Sequence, residues 1–274
     1  MIDFSNKQVI KITVKIENMI TATLGGLIKD YRLKKRLSQM EVSLRIGWQD
    51  TTRLSKIEQG RVGKPNRETV DKIIEALKLT EQEKGEFLLV AGYLPTDEEI
   101  GKVRREVIGQ INNWPYPAVF IDFSWRCLMV NQPTIETFGF PKNFINQVLK
   151  IKPNLLEMVI APKQFMPVDI FKGDNEKNLK SFPVAQVGQF KFEQLGREND
   201  SWYKKLIGKL TKDERFRKLW QEVDQNTYHK KLLDYEYKII KWPNREKPDK
   251  KYHVFSSRLI SDQRFQVILY LPVS

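Results

Sequence analysis

The sequence predicts an α+β chain in two parts: an all-α domain of five helices, then a domain with an antiparallel sheet and covering helices. Three observations carry that prediction. Apolar residues recur every three to four positions across residues 24–94, two strand-like runs meet at a tight turn near residue 124, and three more such runs close the chain. Strands at both ends of a helical stretch mean that one sheet is assembled from segments far apart in sequence.

Residues 1–23 stand apart from this scheme. In "VIKITVKIE", Ile10, Ile12, Val14 and Ile16 alternate with Lys11, Thr13, Lys15 and Glu17, the period of a short amphipathic strand. A lone strand needs a partner, so the segment either adds to a sheet elsewhere or is an N-terminal extension with little order of its own, and the looseness of chain termini favours the extension. Helices are expected over 24–36, 38–46, 51–59, 67–77 and 81–91, together a compact helical domain spanning 24–94. "GYLPTDEE", Gly92 to Glu99, then combines a turn, a proline and an acidic run and marks a boundary. Residues 95–114 are read as a linker helix, and 115–274 as the second domain. There, "VFIDFSWRCLMVN" reads as two strands joined by a tight turn, and Pro133 sits where a helix begins. The stretch 140–225 is helical in pieces, including "SWYKKLIGKL" and "DERFRKLWQEV", before "LLDYEYKIIKW", "KYHVFSSRLIS" and "RFQVILYLPV" supply the closing strands.

A formal net charge of +13 favours a polyanionic partner, either nucleic acid or an anionic membrane surface, and does not choose between them. The excess is spread through both halves. Its densest clusters are "KDYRLKKR" at Lys29 to Arg36 and "GRVGKPNR" at Gly60 to Arg67. No run of eighteen apolar residues and no basic-then-apolar N-terminal layout occurs, so no membrane insertion is expected and the cytoplasm is the expected compartment. The single cysteine, Cys127, excludes an intrachain disulfide and is read as a small buried hydrophobe in a strand.

Catalysis finds little support. His229 and His253 lie in different elements, and neither stands at metal-ligand spacing with Cys127. "LGG" at Leu24 to Gly26 precedes a helix but lacks the rest of a phosphate-cradling pattern, and nothing in the spacing of Asp122 and Glu136 asks for an acid–base pair. No enzyme, cofactor or metal is expected.

The segment from Ser38 to Gly60 is more informative. Placed on helices, Val42, Ile46, Leu54 and Ile57 point inward and the small Ser43 lets two helices approach closely at Gly47. Thr51, Thr52, Arg53 and Lys56 are left pointing outward, almost all able to donate hydrogen bonds. A second helix held across a first, presenting donors at its N-terminal end, suits the DNA major groove; an ordinary helical hairpin with a solvated polar face has the same pattern.

"LSQMEVSLRIGWQDTTRLSKIEQGRVGKP" resembles the helix-turn-helix of the XRE family of phage-repressor-like regulators. The match is carried by Ser38, Gln39, Ser43, Gly47, Ile57, Glu58 and Gly60, while the turn is one residue longer and Trp48 replaces the usual small aliphatic. The resemblance implies that Gln39 contacts phosphate or a base and that Thr51, Thr52, Arg53 and Lys56 face the groove, with Arg53 suited to gripping guanine. Arg61, Lys64 and Arg67 would hold the DNA backbone, or form a solvated loop. Glu58 would pair with Arg32 and be structural.

Residues 105–274 resemble, more loosely, the PAS-like ligand-binding domain of MmyB-like transcription regulators, through "PYPAVFIDFSWRCLMVNQP", "DERFRKLW" and "RFQVILYLPV". That family can hold a fatty acid. Alternation places Leu233, Tyr235, Tyr237 and Ile239, and Phe265, Val267, Leu269 and Leu271, on single faces of the sheet. Val119, Ile121 and Phe123, with Phe138, Leu156, Phe216 and Trp220 from the helices, are expected to cover that apolar side. The resemblance implies a cavity there for a fatty acid or similar amphiphile, with Asn131, Tyr235 or Tyr237 orienting it; in its absence these side chains fill a dry core. The expected partners are therefore double-stranded DNA, an apolar small molecule and a second copy of the chain. A C-terminal domain serving only dimerisation or protein interaction, and charge-driven binding to RNA or a membrane surface, are the competing readings.

Overall fold

The computed structural model describes residues 23–141, 143–160, 176–223, 238–240 and 250–273. The chain divides into two compact units, one running to Tyr93 and including Ile260–Arg264, the other comprising Leu94–Leu259 and the residues from Phe265 onward.

The first unit holds the five helices expected: α1 Leu24–Lys34, α2 Gln39–Ile46, α3 Thr52–Glu58, α4 Arg67–Ala76 and α5 Glu81–Val90. Their starts are written in the local sequence. Thr23 and Asn66 cap α1 and α4 through their side-chain oxygens, while Ser38 with Glu41 and Thr80 with Glu83 form reciprocal capping boxes at α2 and α5. Gly47 stops α2 in the left-handed region at φ 89°, a conformation that a side chain would strain. Ile28, Val42, Leu54, Val70, Ile73, Leu77, Phe87 and Leu88 are wholly enclosed in the centre. Burying one such side chain contributes about 1.5–3 kcal/mol. Gly25 permits the closest helix contact, since a Cβ there would lie 2.4 Å from the carbonyl oxygen of Ile57 near the end of α3.

The second unit opens with α6 Asp97–Asn113, capped by Thr96 and Glu99. Strands β1 Ala118–Asp122 and β2 Cys127–Val130 follow, then α7 Gln132–Phe138, which Asn131 caps and Pro133 opens. Helices α8 Phe144–Ile151, α9 Leu155–Ile160, α10 Glu176–Glu193, α11 Ser201–Leu210 and α12 Glu214–Glu222 lead to β3 Lys238–Ile240, β4 Lys250–Arg258 and β5 Phe265–Pro272. The five strands form one antiparallel sheet in the order β2-β1-β5-β4-β3, so the first hairpin lies against the last strand. Both ends of the domain build one sheet, as expected.

Two expectations are corrected here. The segment read as a linker helix is part of this unit: Ile100, Val103 and Ile111 of α6 pack with Ala118, Phe120, Leu128, Met129 and Phe265 against one face of the sheet. The sheet also has two apolar sides rather than one. Every residue of β1 and β2 is buried: "AVFID" alternates between α6 on one face and the inserted helices on the other, and in "CLMV" a register shift opposite Phe120 and Ile121 sends both Leu128 and Met129 to the α6 side and leaves Cys127 and Val130 with the inserted helices. Phe120 stacks on Phe265 with ring centroids 5.5 Å apart on the α6 side, while Val119 and Ile121 join the cluster of the inserted helices. Cys127 is buried in β2 as expected, and burial pushes its thiol up to about 12, so it behaves as a hydrophobe.

Candidate functional site

In the helical unit, α3 is fixed from behind and at its end. Leu54 and Ile57 are buried in the core, and Glu58 accepts two hydrogen bonds from Arg32, Nε to Oε1 at 2.7 Å and Nη2 to Oε2 at 2.9 Å. The expected pair therefore forms, with side chains only 9% and 3% exposed. The bond to Glu58 holds the Arg32 guanidinium above its usual range, although burial opposes it. At the other end, Asp50 Oδ1 accepts the Thr52 N–H at 2.8 Å and starts the helix.

The opposite side of α3 is open. Thr52, Arg53 and Lys56 are exposed and Thr51 is half-buried, as their helical positions require. Arg61 is also exposed. Other residues expected at a DNA interface are engaged within the domain. Gln39 Nε2 donates to Glu58 Oε2 at 2.8 Å, and Arg67 Nε donates to both Asp71 oxygens at 2.9 and 3.0 Å. Lys64 Nζ donates to the Gly92 carbonyl at 3.1 Å and lies 4.6 Å from the centre of the Tyr93 ring.

Arg53 has two partners that helical spacing alone does not reveal. Its guanidinium lies 4.7 Å from the centre of the Trp48 ring, and Nη2 donates to Thr69 Oγ1 at 3.3 Å. The sequence carries one signal of the first: an aromatic ring at the position after the turn glycine.

In the second unit, the expected ligand-lining residues divide. Val119 and Ile121 meet Phe138 and Trp220 in one apolar cluster on the side of the inserted helices. Phe123 is buried beside them, edge-on to Trp202 at 5.8 Å and beneath the Arg197 guanidinium at 4.7 Å. Val267 and Leu269 do not join this set and are corrected to the α6 face, where they pack with Ala118 and Phe120. The register explains it: Val119 pairs with Ile268 and Phe120 with Val267, so the odd-numbered residues of β5 share a face with the even-numbered residues of β1. Ile268 and Tyr270, which alternate with them along β5, face the inserted helices. Tyr270 meets Phe138 edge-on at 5.5 Å.

Asn131 is also corrected. It is 0% exposed and its amide is fully committed to the protein, accepting from the Ala118 N–H and from Thr134 and donating to the carbonyls of Ile111, Trp114 and Tyr116. It ties α6, β1 and α7 together and has no amide atom left to orient a ligand. Tyr235 and Tyr237 lie outside the described residues. The cluster contains rings that the sequence reading passed over, among them Phe140 stacked on Phe144 at 4.0 Å and Trp125 edge-on to Phe190 at 5.3 Å.

His253 is exposed on β4, and no group of three or more His, Cys, Asp or Glu side chains capable of holding a metal occurs among the described residues. Asp122 accepts hydrogen bonds from Ser124 and Arg126, and Glu136 accepts one from Gln132. No helix of the described residues is long and apolar enough to cross a membrane. No curated protein matches the chain. Residues 23–87 match the family model of the helix-turn-helix domain, and with α3 held rigidly behind an open polar face this region is the helix-turn-helix of a DNA-binding regulator.

Proposed function

We propose that the protein is a sequence-specific transcription regulator that binds double-stranded DNA as a homodimer. The carrying observation is the exposed set Thr52, Arg53 and Lys56 on a helix whose other face and C-terminal end are locked into the core. Donors on a rigid element can meet base edges without reordering the backbone, and α3 has the size and presentation of a recognition helix. A helix of seven residues reads too few base pairs for selectivity in a genome, which is the argument for two copies on two half-sites. Gln39, Thr51, Arg61, Lys64 and Arg67 are assigned to the surrounding phosphates, the last two after exchanging their intramolecular partners.

Selection of the full chain against a random duplex pool tests this reading. An enriched motif with two half-sites about one helical turn, roughly 34 Å, apart is expected. Bulk binding without enrichment would mean that the net positive charge alone attracts DNA.

For the second unit we propose a PAS-like domain that takes a small apolar ligand, a fatty acid or similar amphiphile, on the sheet face of Val119, Ile121, Ile268 and Tyr270. The sheet order and the long helical insertion between β2 and β3 support the fold reading. The concentration of half-buried Phe138, Trp202, Trp220 and Tyr270 on that face supports the ligand. Such a ligand changes DNA affinity only by binding the two regulatory states unequally. Native mass spectrometry and lipid extraction of the purified protein test the first step, and titration of acyl chains against operator binding the second. Recovery of no ligand, with no thermal shift from any acyl chain, leaves the domain as a dimerisation module.

A further inference from the structure

The site of Arg53 is built by three separate parts of the helical unit. Gly47 ends α2 in the left-handed region, and the next backbone N–H, that of Trp48, turns back to the Ser43 carbonyl at 2.8 Å. That closure fixes where the indole leaves the chain, and its ring packs against the core cluster as a half-buried side chain. In the first turn of α3, the Arg53 guanidinium comes to 4.7 Å from the centre of that ring. From α4, the buried Thr69 offers its hydroxyl oxygen to Arg53 Nη2 at 3.3 Å, and Thr69 is itself held by its backbone N–H to Asn66 Oδ1 at 2.9 Å.

We propose that Trp48 is a positioning residue for base recognition: with Thr69, it holds Arg53 ready to grip the edge of a guanine in the major groove. The inference rests on the DNA-binding reading above and adds the residue that sets specificity within it. An exposed arginine has many rotamers and loses them on binding. Contact with an aromatic ring restrains the guanidinium without using its N–H donors, and Thr69 accepts only one of them. The remaining donors form a fork whose natural partner is a pair of acceptors, and in the major groove guanine O6 and N7 are that pair. A small aliphatic residue at position 48 would leave Arg53 tethered only through Thr69.

The test is a double-mutant cycle on the full chain, with Trp48→Leu to retain apolar bulk, Trp48→Phe to retain an aromatic face, and Arg53→Ala. Affinity is measured on the selected operator and on a copy with the one Arg53-dependent guanine replaced. Trp48→Leu is expected to weaken operator binding by about three- to tenfold and to reduce the preference for that guanine. Trp48→Phe is expected to restore most of both, and Trp48→Leu to change nothing further in the Arg53→Ala background. A Trp48→Leu loss that is equal on both duplexes, or that persists undiminished in the Arg53→Ala background, overturns the proposal.

A second readout needs no DNA. In the free protein, the Arg53 side-chain protons should show a ring-current shift by NMR that disappears in Trp48→Leu. Presence of that shift with an unchanged base preference removes the recognition role and leaves DNA binding intact. If the wild-type chain selects no sequence at all, the DNA-binding reading itself fails and this assignment falls with it.

Discussion

Arg32 on the first helix and Glu58 at the end of the third face each other through two nearly parallel hydrogen bonds of 2.7 and 2.9 Å, shielded from solvent. Two further bonds brace the pair: Arg32 Nη1 donates to the Leu37 carbonyl at 3.0 Å, and Gln39 Nε2 to Glu58 Oε2 at 2.8 Å. A buried pair braced in this way is costly to halve and cheap to replace whole. Arg32→Ala or Glu58→Ala is therefore expected to destabilise the helical unit by about 3–5 kcal/mol, and a paired apolar replacement by much less. Denaturant unfolding of the three variants checks the order. Equal costs for single and double replacement would contradict it.

DNA contacts made by different side chains should separate by salt and by sequence. Arg53→Ala is expected to cost about 1–3 kcal/mol on the preferred operator and to relax selectivity, whereas Arg61→Ala weakens all sequences alike and lowers the slope of log affinity against log salt by about 1. Fluorescence anisotropy at four salt concentrations on matched and scrambled duplexes reads both effects.

Glu83 makes the helical unit acid-sensitive. Its carboxyl is held down to about 2, first by accepting the Thr80 N–H in the capping box and further by Lys35 and Lys34, with desolvation opposing. A carboxyl depressed in the folded state stabilises above its ordinary value near 4.5, and that stability is lost as pH falls from there toward 2. Glu83→Gln should be less stable than wild type at neutral pH and nearly equal to it at pH about 2. Parallel melting curves at both ends of that window would rule this out.

Asn131 anchors the second unit through its amide, and a residue without that amide strands several buried backbone groups at once. Asn131→Leu is expected to cost at least about 3 kcal/mol, measured by chemical denaturation of the C-terminal domain's transition. A mild effect would mean that water replaces the lost bonds.

Ser43 offers the reverse case. Its hydroxyl is buried with no hydrogen-bond partner among the described residues, where α2 meets its neighbours. Ser43→Ala is expected to raise stability by roughly 1 kcal/mol, because it removes an unsatisfied polar group while keeping the small size that close packing requires. A lower melting temperature would show that the hydroxyl has a partner in solution.

Much of the helical unit was legible residue by residue because its signals are local. Ser38 with Glu41 and Thr80 with Glu83 announce helix starts within one turn of chain, Gly47 announces a stop, and the alternation of inward Leu54 and Ile57 with outward Arg53 and Lys56 follows from helical geometry alone. The hairpin of β1 and β2 was legible for the same reason. Contacts between distant segments were not. Alternation groups Val267 with Leu269 but contains nothing about which residue of β1 they oppose, and a pairing offset of one residue moves both to the other face. Nor does the acidic start of α6 reveal that its apolar stripe covers the sheet.

The chemistry of the interface divides along the same line. Sequence spacing alone determines that Arg53 leaves α3 toward solvent, because the helical repeat and the apolar positions beside it permit no other direction. That the same side chain lies against Trp48 and reaches Thr69 was decided by the tertiary structure, since it depends on how closely the end of α2 and the start of α4 approach α3. Those distances are set by packing among Val42, Leu54, Val70 and Ile73, residues whose periodicity states that they are buried and is silent about the partners they meet.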